Sequence, residues 1–171
     1  MSGLELVGIE CKDDAGEVTY RAVRVVIPGP PCAQGRPRAF NTPKGIRMYD
    51  PKKSRSWKGA AQVHMAEAMA GRALFAGAVQ VEIVAVFACP TTDYRKRDPH
   101  PRRWHTKANG DAENISKACC DAANGTLWID DRQVARLHVE KIIGAQGEAP
   151  RVEMYVSALE GREQPVQART A

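Results

Sequence analysis

No stretch of this sequence approaches the roughly 20 consecutive apolar residues that a membrane-spanning helix needs. Its first residues, MSGLELVGIECKDD, show neither a basic start nor an apolar run. A secretory leader and a membrane anchor are therefore not expected, and a soluble, cytoplasmic protein is. Cysteine is sparse and poorly spaced for a framework: five residues (11, 32, 89, 119 and 120), an odd number without a C-x-x-C. That argues against a disulfide scaffold and against a zinc site. The adjacent Cys119 and Cys120 point to different sides of a helix, so one of them should pack inward as a small hydrophobe. Repeats and internal boundaries are also missing. The expectation is a single domain over residues 1–171, with an N-terminal extension to about residue 18 and a polar, frayed tail over 160–171.

Acids are nearly absent where bases gather. Between Arg36 and Lys58 there are eight Lys/Arg against one acid, Asp50. Between Asp93 and Lys107 there are six against two, with His100 and His105 beside them. A solvated charged loop explains one such cluster. Two of them, on a chain of net charge +5, read as an electrostatic footprint for a phosphate backbone. The candidate DNA contacts are Arg36, Arg38, Lys44, Arg47, Lys52 and Lys53 in the first cluster, and Arg95, Lys96, Arg97, Arg102, Arg103 and Lys107 in the second.

The hydrophobic pattern predicts an α+β fold, a mixed β-sheet of four or five strands with two main helices. Glu17–Pro28 reads as a strand, with Leu4–Cys11 pairing to it as a hairpin through Lys12–Gly16. Residues 29–50, rich in Pro and Gly, read as loop. A helix starts near Pro51 or Ser54 and stops at Gly71, with Trp57, Ala61, His64, Met65, Ala68 and Met69 as its apolar stripe. Val79–Cys89 is a strong strand candidate; residues 90–109 carry no periodic pattern, which points to function or mobility. A second helix runs from about Ala112 to Ala123 and ends at Asn124-Gly125. Leu127–Ile129, Val134–Ile143 and Arg151–Leu159 complete the strand candidates.

The most informative segment is GDAENISKACCDAANGTLWIDDRQV, residues 110–134. It puts Asp111, Glu113, Asn114, Lys117, Asp130 and Asp131 close together on an otherwise basic chain. Such acids suit Mg²⁺, which takes carboxylate oxygens and completes its shell from a phosphate. Residues 111 and 113 diverge by roughly 200° inside a helix, but where a loop enters a helix both carboxylates can turn toward one ion. Glu113 and Lys117, at i and i+4, cover one patch. Each residue also has an ordinary reading. Glu113–Lys117 is a possible surface pair worth about 0.2–0.5 kcal/mol, Asp130-Asp131 a polar turn, Asn114 a first-turn residue, and Asp121 a helix-face partner of Lys117. The joint arrangement carries the argument. His64, His100, His105 and His138 read as satisfied histidines and Trp57 and Trp128 as core, while Trp104 in the basic loop is open to stacking on a base.

The pattern D-x-E-N-x-x-K-x-x-x-D followed by L-W-I-D-D-x-Q-V resembles the RusA-type Holliday-junction resolvases. The usual pattern of these phage and prophage endodeoxyribonucleases is D-x-D-N-x-x-K, then W-x-D-D-x-x-V. The resemblance is close over about 25 residues and looser from Ile27-Pro28 through GRPR to about Leu159. It implies a homodimer serving DNA recombination and repair, whose two Mg²⁺ sites (Mn²⁺ as a substitute) nick opposing strands of a four-way junction. Asp111, Glu113 and Asp131 match the metal-binding acids, Lys117 the essential lysine, and Asn114 and Asp130 neighbouring motif positions, with Asp130 the weaker metal candidate. Glu113 stands where Asp is usual, which lengthens that ligand by one methylene. Other readings remain at this point: a nuclease with broader branched-DNA specificity, a DNA-binding module with a degenerate site, or a structural protein whose acids cap a helix.

Overall fold

Alternating apolar side chains, and one nearly continuous apolar run, build a single main sheet. The computed structural model describes residues 10–12, 18–20, 22–43, 45–106 and 110–159. Within them, β1 (Glu10–Lys12) and β2 (Val18–Tyr20) pair antiparallel as a small hairpin. β3 (Ala22–Pro28) follows, then β4 (Arg38–Thr42), β5 (Gly45–Tyr49) and α1 (Lys52–Met69). β6 (Val79–Phe87) and β7 (Arg103–Trp104) lead to α2 (Ala112–Ala123), and β8 (Val134–Ile143) and β9 (Arg151–Ala158) complete the order. The expected turn at residues 13–16, the tail from 160 onward, Lys44 and Lys107 lie outside the described residues.

The five-stranded sheet has the order β3-β9-β6-β8-β7. All neighbours are antiparallel except β6 and β8. A parallel pair cannot be closed by a hairpin; its crossover here carries β7 and α2, so the acidic segment lies on the connection between two adjacent strands. One face of the sheet is apolar at every second position: Val23, Val25 and Ile27 on β3, Val79, Val81, Ile83 and Ala85 on β6, and Val152, Met154 and Val156 on β9. Both helices contribute to the core over this face, α1 with Ala61, Met65 and Met69, and α2 with Ile115, Cys119, Ala122 and Ala123. The mixed sheet and two helices are those expected, and no helix among the described residues is long and apolar enough to cross a membrane.

Three local expectations change. Arg38–Thr42 and Gly45–Tyr49 form the β4/β5 ribbon rather than loop. Leu127–Ile129 is not a strand: Leu127 and Trp128 are fully buried, and Trp128 makes only isolated bridges, to Phe75 and Asn124. The loop after β6 is anchored over its described length. Arg95 N–H donates to Gln146 Oε1 (2.9 Å), Gln146 Nε2 donates back to the Arg95 carbonyl (3.0 Å), and Arg103 reaches Asp93 Oδ2 at 2.6 Å.

Glu148 is the hub of that anchorage. Its carboxylate accepts from both ends of the Arg102 guanidinium, from Arg151 Nη1 (2.9 Å) and from Ala145 N–H (2.8 Å). Arg102 foremost, with these other donors, holds its carboxyl down to about 2 from the ordinary 4.5, against the opposing effect of partial burial. A depressed folded-state value means that the stabilisation is complete above pH 4.5 and is lost as pH falls toward 2. The melting temperature of Glu148→Gln should therefore lie below that of the unaltered protein at neutral pH, with the gap closing through that acid window. Parallel melting curves from pH 7 to pH 2 would refute the assignment.

Candidate active site and nucleic-acid interface

Gly110 sets the entry to α2. Its φ of 84° lies in the left-handed region, and an added Cβ would meet Phe87 Cζ at 3.1 Å and Ile115 Cδ1 at 3.2 Å. The close approach and the backbone both call for glycine. Asp111 then takes the N-cap position with extended backbone (φ −60°, ψ 137°), but its side chain caps no helix N–H. The carboxylate instead stands at the surface, with Asn114 Nδ2 at a long 3.4 Å. Glu113 lies in the first turn and is exposed, as are Asn114 and Lys117. Acids here suit the positive end of the helix.

The basic proline-rich segment docks directly on this turn. Gln34 N–H donates to the Asn114 carbonyl at 2.7 Å, and Gly35 N–H donates to Ser54 Oγ at 2.9 Å. A Cβ at Gly35 would come within 2.7 Å of Pro51 Cγ, so glycine is needed for the fit. Gln34 Nε2 also donates to Asp50 Oδ1 (2.9 Å). Lys58 bridges Asp50 and Asp121, joining α1 to α2. Asp121 therefore pairs with Lys58 rather than with Lys117, because helix packing offers it a less exposed ammonium.

The second acidic pair divides into two roles. Asp130 caps a turn of 3₁₀ helix, Asp131–Gln133. Its Oδ1 accepts from Arg132 N–H and Nε, each at 2.9 Å, and its Oδ2 from Arg132 Nη2 at 3.0 Å. Those bonds hold its carboxyl down to about 2. Asp131 is exposed, and its negative charge reaches the neighbouring Cys120. Burial first, then the charges of Asp121 and Asp131, push that thiol up to about 11. Positions 113, 117 and 120 are spaced i, i+4 and i+7 and share one stripe of α2. The turn thus brings the charge of Asp131 within electrostatic reach of Cys120 on that stripe.

Two residues quoted within or near the motifs, but given no role from sequence, secure this return. Gln133 Oε1 accepts from the N–H groups of Ile129 and Asp130, both at 2.9 Å, while its Nε2 donates to the carbonyls of Phe75 and Gly77, both at 2.8 Å. Lys141 on β8 donates from Nζ to the Gly110 carbonyl at 2.8 Å, pinning the residue before Asp111. The pattern D-D-x-Q-V contained the first signal; the second required the β6/β8 register.

Among the described residues no three acidic, histidine or cysteine side chains converge as a ready-made metal cage. The donor set nonetheless suits Mg²⁺. The ion keeps several waters and binds through one or two carboxylates plus substrate phosphate rather than through an all-protein cage. Asp111, Glu113 and Asp131 offer exposed hard oxygens of that kind, and Asp130 is engaged by Arg132.

Of the candidate DNA contacts, Arg36, Arg38, Arg47, Lys52, Lys53, Arg95, Lys96 and Arg97 are exposed, and their side chains take no part in the ion pairs found among the described residues. Arg102 and Arg103 instead hold Glu148 and Asp93. Trp104 lies on the edge strand β7, 68% exposed. His64 and His138 sit beside Glu67 and Glu140, and His105 stacks on Phe87 at 4.2 Å. Trp128 is core, with Nε1 donating to Asn124 Oδ1 at 2.9 Å, while Trp57 is half-buried against it.

Comparison with known proteins agrees with this geometry. The protein YqaN of Bacillus subtilis (strain 168), described only as uncharacterized, is 27% identical over 138 residues, covering 78% of this chain and 94% of that protein. The family model described as endodeoxyribonuclease RusA matches residues 28–157, from the end of β3 into β9 and including both acidic motifs. With most of its length matched, the chain belongs to the RusA family of endodeoxyribonucleases.

Proposed function

We propose that this protein is a Mg²⁺-dependent, structure-specific endonuclease that resolves four-way DNA junctions by paired nicks, acting as a homodimer in the cytoplasm. One observation carries the reading. Asp111 and Glu113 are exposed at the entry of α2 and Asp131 is exposed at the turn that follows it, and the basic segment is bonded to that helix through Gln34 and Asn114.

In this reading Asp111, Glu113 and Asp131 hold the ion. When bound, the ion supplies an activated water and withdraws charge from the scissile phosphate; Mn²⁺ would serve as well. Lys117 lies one turn beyond Glu113 and stabilises the negative charge that builds on the phosphate oxygens or on the leaving oxygen. Asn114 steadies Asp111 and, through its carbonyl, the basic segment. Arg36, Arg38, Arg47, Lys52 and Lys53 hold the phosphate backbone, as do Arg95, Lys96 and Arg97, which makes affinity fall with salt. Lys44 and Lys107 join them by charge. A twofold-symmetric dimer presents equal sites to the two opposed strands of a junction.

Incubation with a synthetic four-way junction and with a linear duplex of the same sequence, each in Mg²⁺, tests the proposal. Symmetric nicks in the junction alone are expected. Junction binding without cleavage in Mg²⁺ or Mn²⁺ would leave a DNA-binding module, and cleavage of forks and flaps at equal rates would widen the substrate class. Scattering mass in the absence of DNA decides the dimer.

A further inference from the structure

The β4/β5 ribbon is hydrogen-bonded to no other strand of the described chain, and most of its residues are exposed. Residues directly opposite in an antiparallel pair share a face. Arg38 lies opposite Tyr49 and Phe40 opposite Arg47, so one face carries two guanidinium groups and two aromatic rings in a diagonal pattern. Ala39 opposite Met48, and Asn41 opposite Ile46, make up the other. Phe40 is 47% exposed and Tyr49 39%, and their rings meet edge to face at 5.6 Å. The segment connecting the ribbon to α2 is the one bonded through Gln34 and Asn114.

Exposed rings on a small ribbon contribute little to a core. Set between cations that pair with no acid among the described residues, they match a nucleotide, whose phosphate takes the guanidinium and whose base takes the ring. Paired duplex DNA does not offer this match, because each base face is already covered by its neighbours. At a branch point bases lose a stacking partner and expose a face. We propose that the Arg38–Phe40–Arg47–Tyr49 face receives unstacked bases at the branch point and so sets the preference for branched over linear DNA. This rests on the junction-nuclease reading and adds to it the rings of Phe40 and Tyr49, which lie on the ribbon and outside the acidic segment.

The test is fluorescence-anisotropy binding of the full chain to a four-way junction and to linear duplex, without divalent metal. Phe40→Ala/Tyr49→Ala should lose about 10- to 100-fold in junction affinity and keep its duplex affinity within about twofold. Phe40→Leu/Tyr49→Leu, which restores apolar bulk without a ring, should behave the same way. Arg38→Ala/Arg47→Ala should weaken both substrates and flatten the salt dependence. Junction affinity that survives in the Leu variant, or parallel loss on both substrates in the aromatic variants, overturns the inference while leaving the nuclease reading intact. An unaltered protein that binds junction and duplex equally overturns the inference, and the nuclease reading is judged separately by junction cleavage in Mg²⁺. The ribbon contributes nothing to the main core, so melting temperatures within a few degrees of the unaltered protein are expected for every variant.

Discussion

Asp131→Asn should lower metal-dependent junction cleavage on the order of a thousandfold, the scale of losing about 4 kcal/mol of transition-state stabilisation, while junction binding and melting temperature stay near those of the unaltered protein. The neighbouring Asp130→Asn should do the reverse. It loses the charged bonds to Arg132 that cap the turn, lowers the melting temperature, and retains much of the cleavage. The contrast follows from geometry, since one carboxylate is engaged by Arg132 and the other is exposed. Single-turnover rates and melting curves for the two variants decide it. An inactive Asp130→Asn beside an active Asp131→Asn would exchange the roles.

Trp128→Ala should be the most damaging single truncation among the aromatic residues. The side chain is fully buried, its Nε1 donates to Asn124 Oδ1 at 2.9 Å, and its carbonyl accepts from Gly125 N–H at 2.8 Å. Removing a buried Trp side chain costs about 3–5 kcal/mol. For a domain of this size that amounts to a fall of roughly 8–14 °C in melting temperature. Trp128→Phe keeps most of the packing and should recover more than half of the loss. A urea-unfolding difference below about 1 kcal/mol would mean that the site closes over the missing ring. Because Trp128 lies three residues before Asp131, lost activity in the Ala variant should return on cooling below its melting transition.

The elements that carry the core were legible because their signals are local. Alternation over Val79–Phe87 and Arg151–Ala158, and the i, i+4 stripe of Ala61, Met65 and Met69, are dictated by the need to bury one face. The β4/β5 ribbon was not legible. Its sequence, RAFNT and GIRMY, mixes arginines with aromatic rings on one face and Asn41 with apolar side chains on the other, so no polar–apolar alternation marks it. The assignment of Asp121 to Lys117 followed helix spacing, but Lys58 approaches from another helix, 63 residues away. Gln133 and Lys141 act across sequence gaps of 58 and 31 residues. Such partners are fixed only once strand order and register are known. The acidic constellation was readable as a set of residues, with the resemblance favouring Asp131 over Asp130; the bonds that engage Asp130 were not readable, since they depend on where Arg132 turns.

The order of the sheet has a consequence for the chain while it is being made. Among the described strands, β3 meets the rest of the sheet only through β9, the latest of them to be synthesised, and the entry to α2 is pinned by Lys141 on β8. A ribosome that has delivered both acidic motifs has therefore not yet delivered the strands that hold them in register. Long-range pairings of this kind form late. The growing polypeptide would carry the acidic segment without its geometry, so a stalled or prematurely ended product would lack whatever the finished arrangement of those residues does.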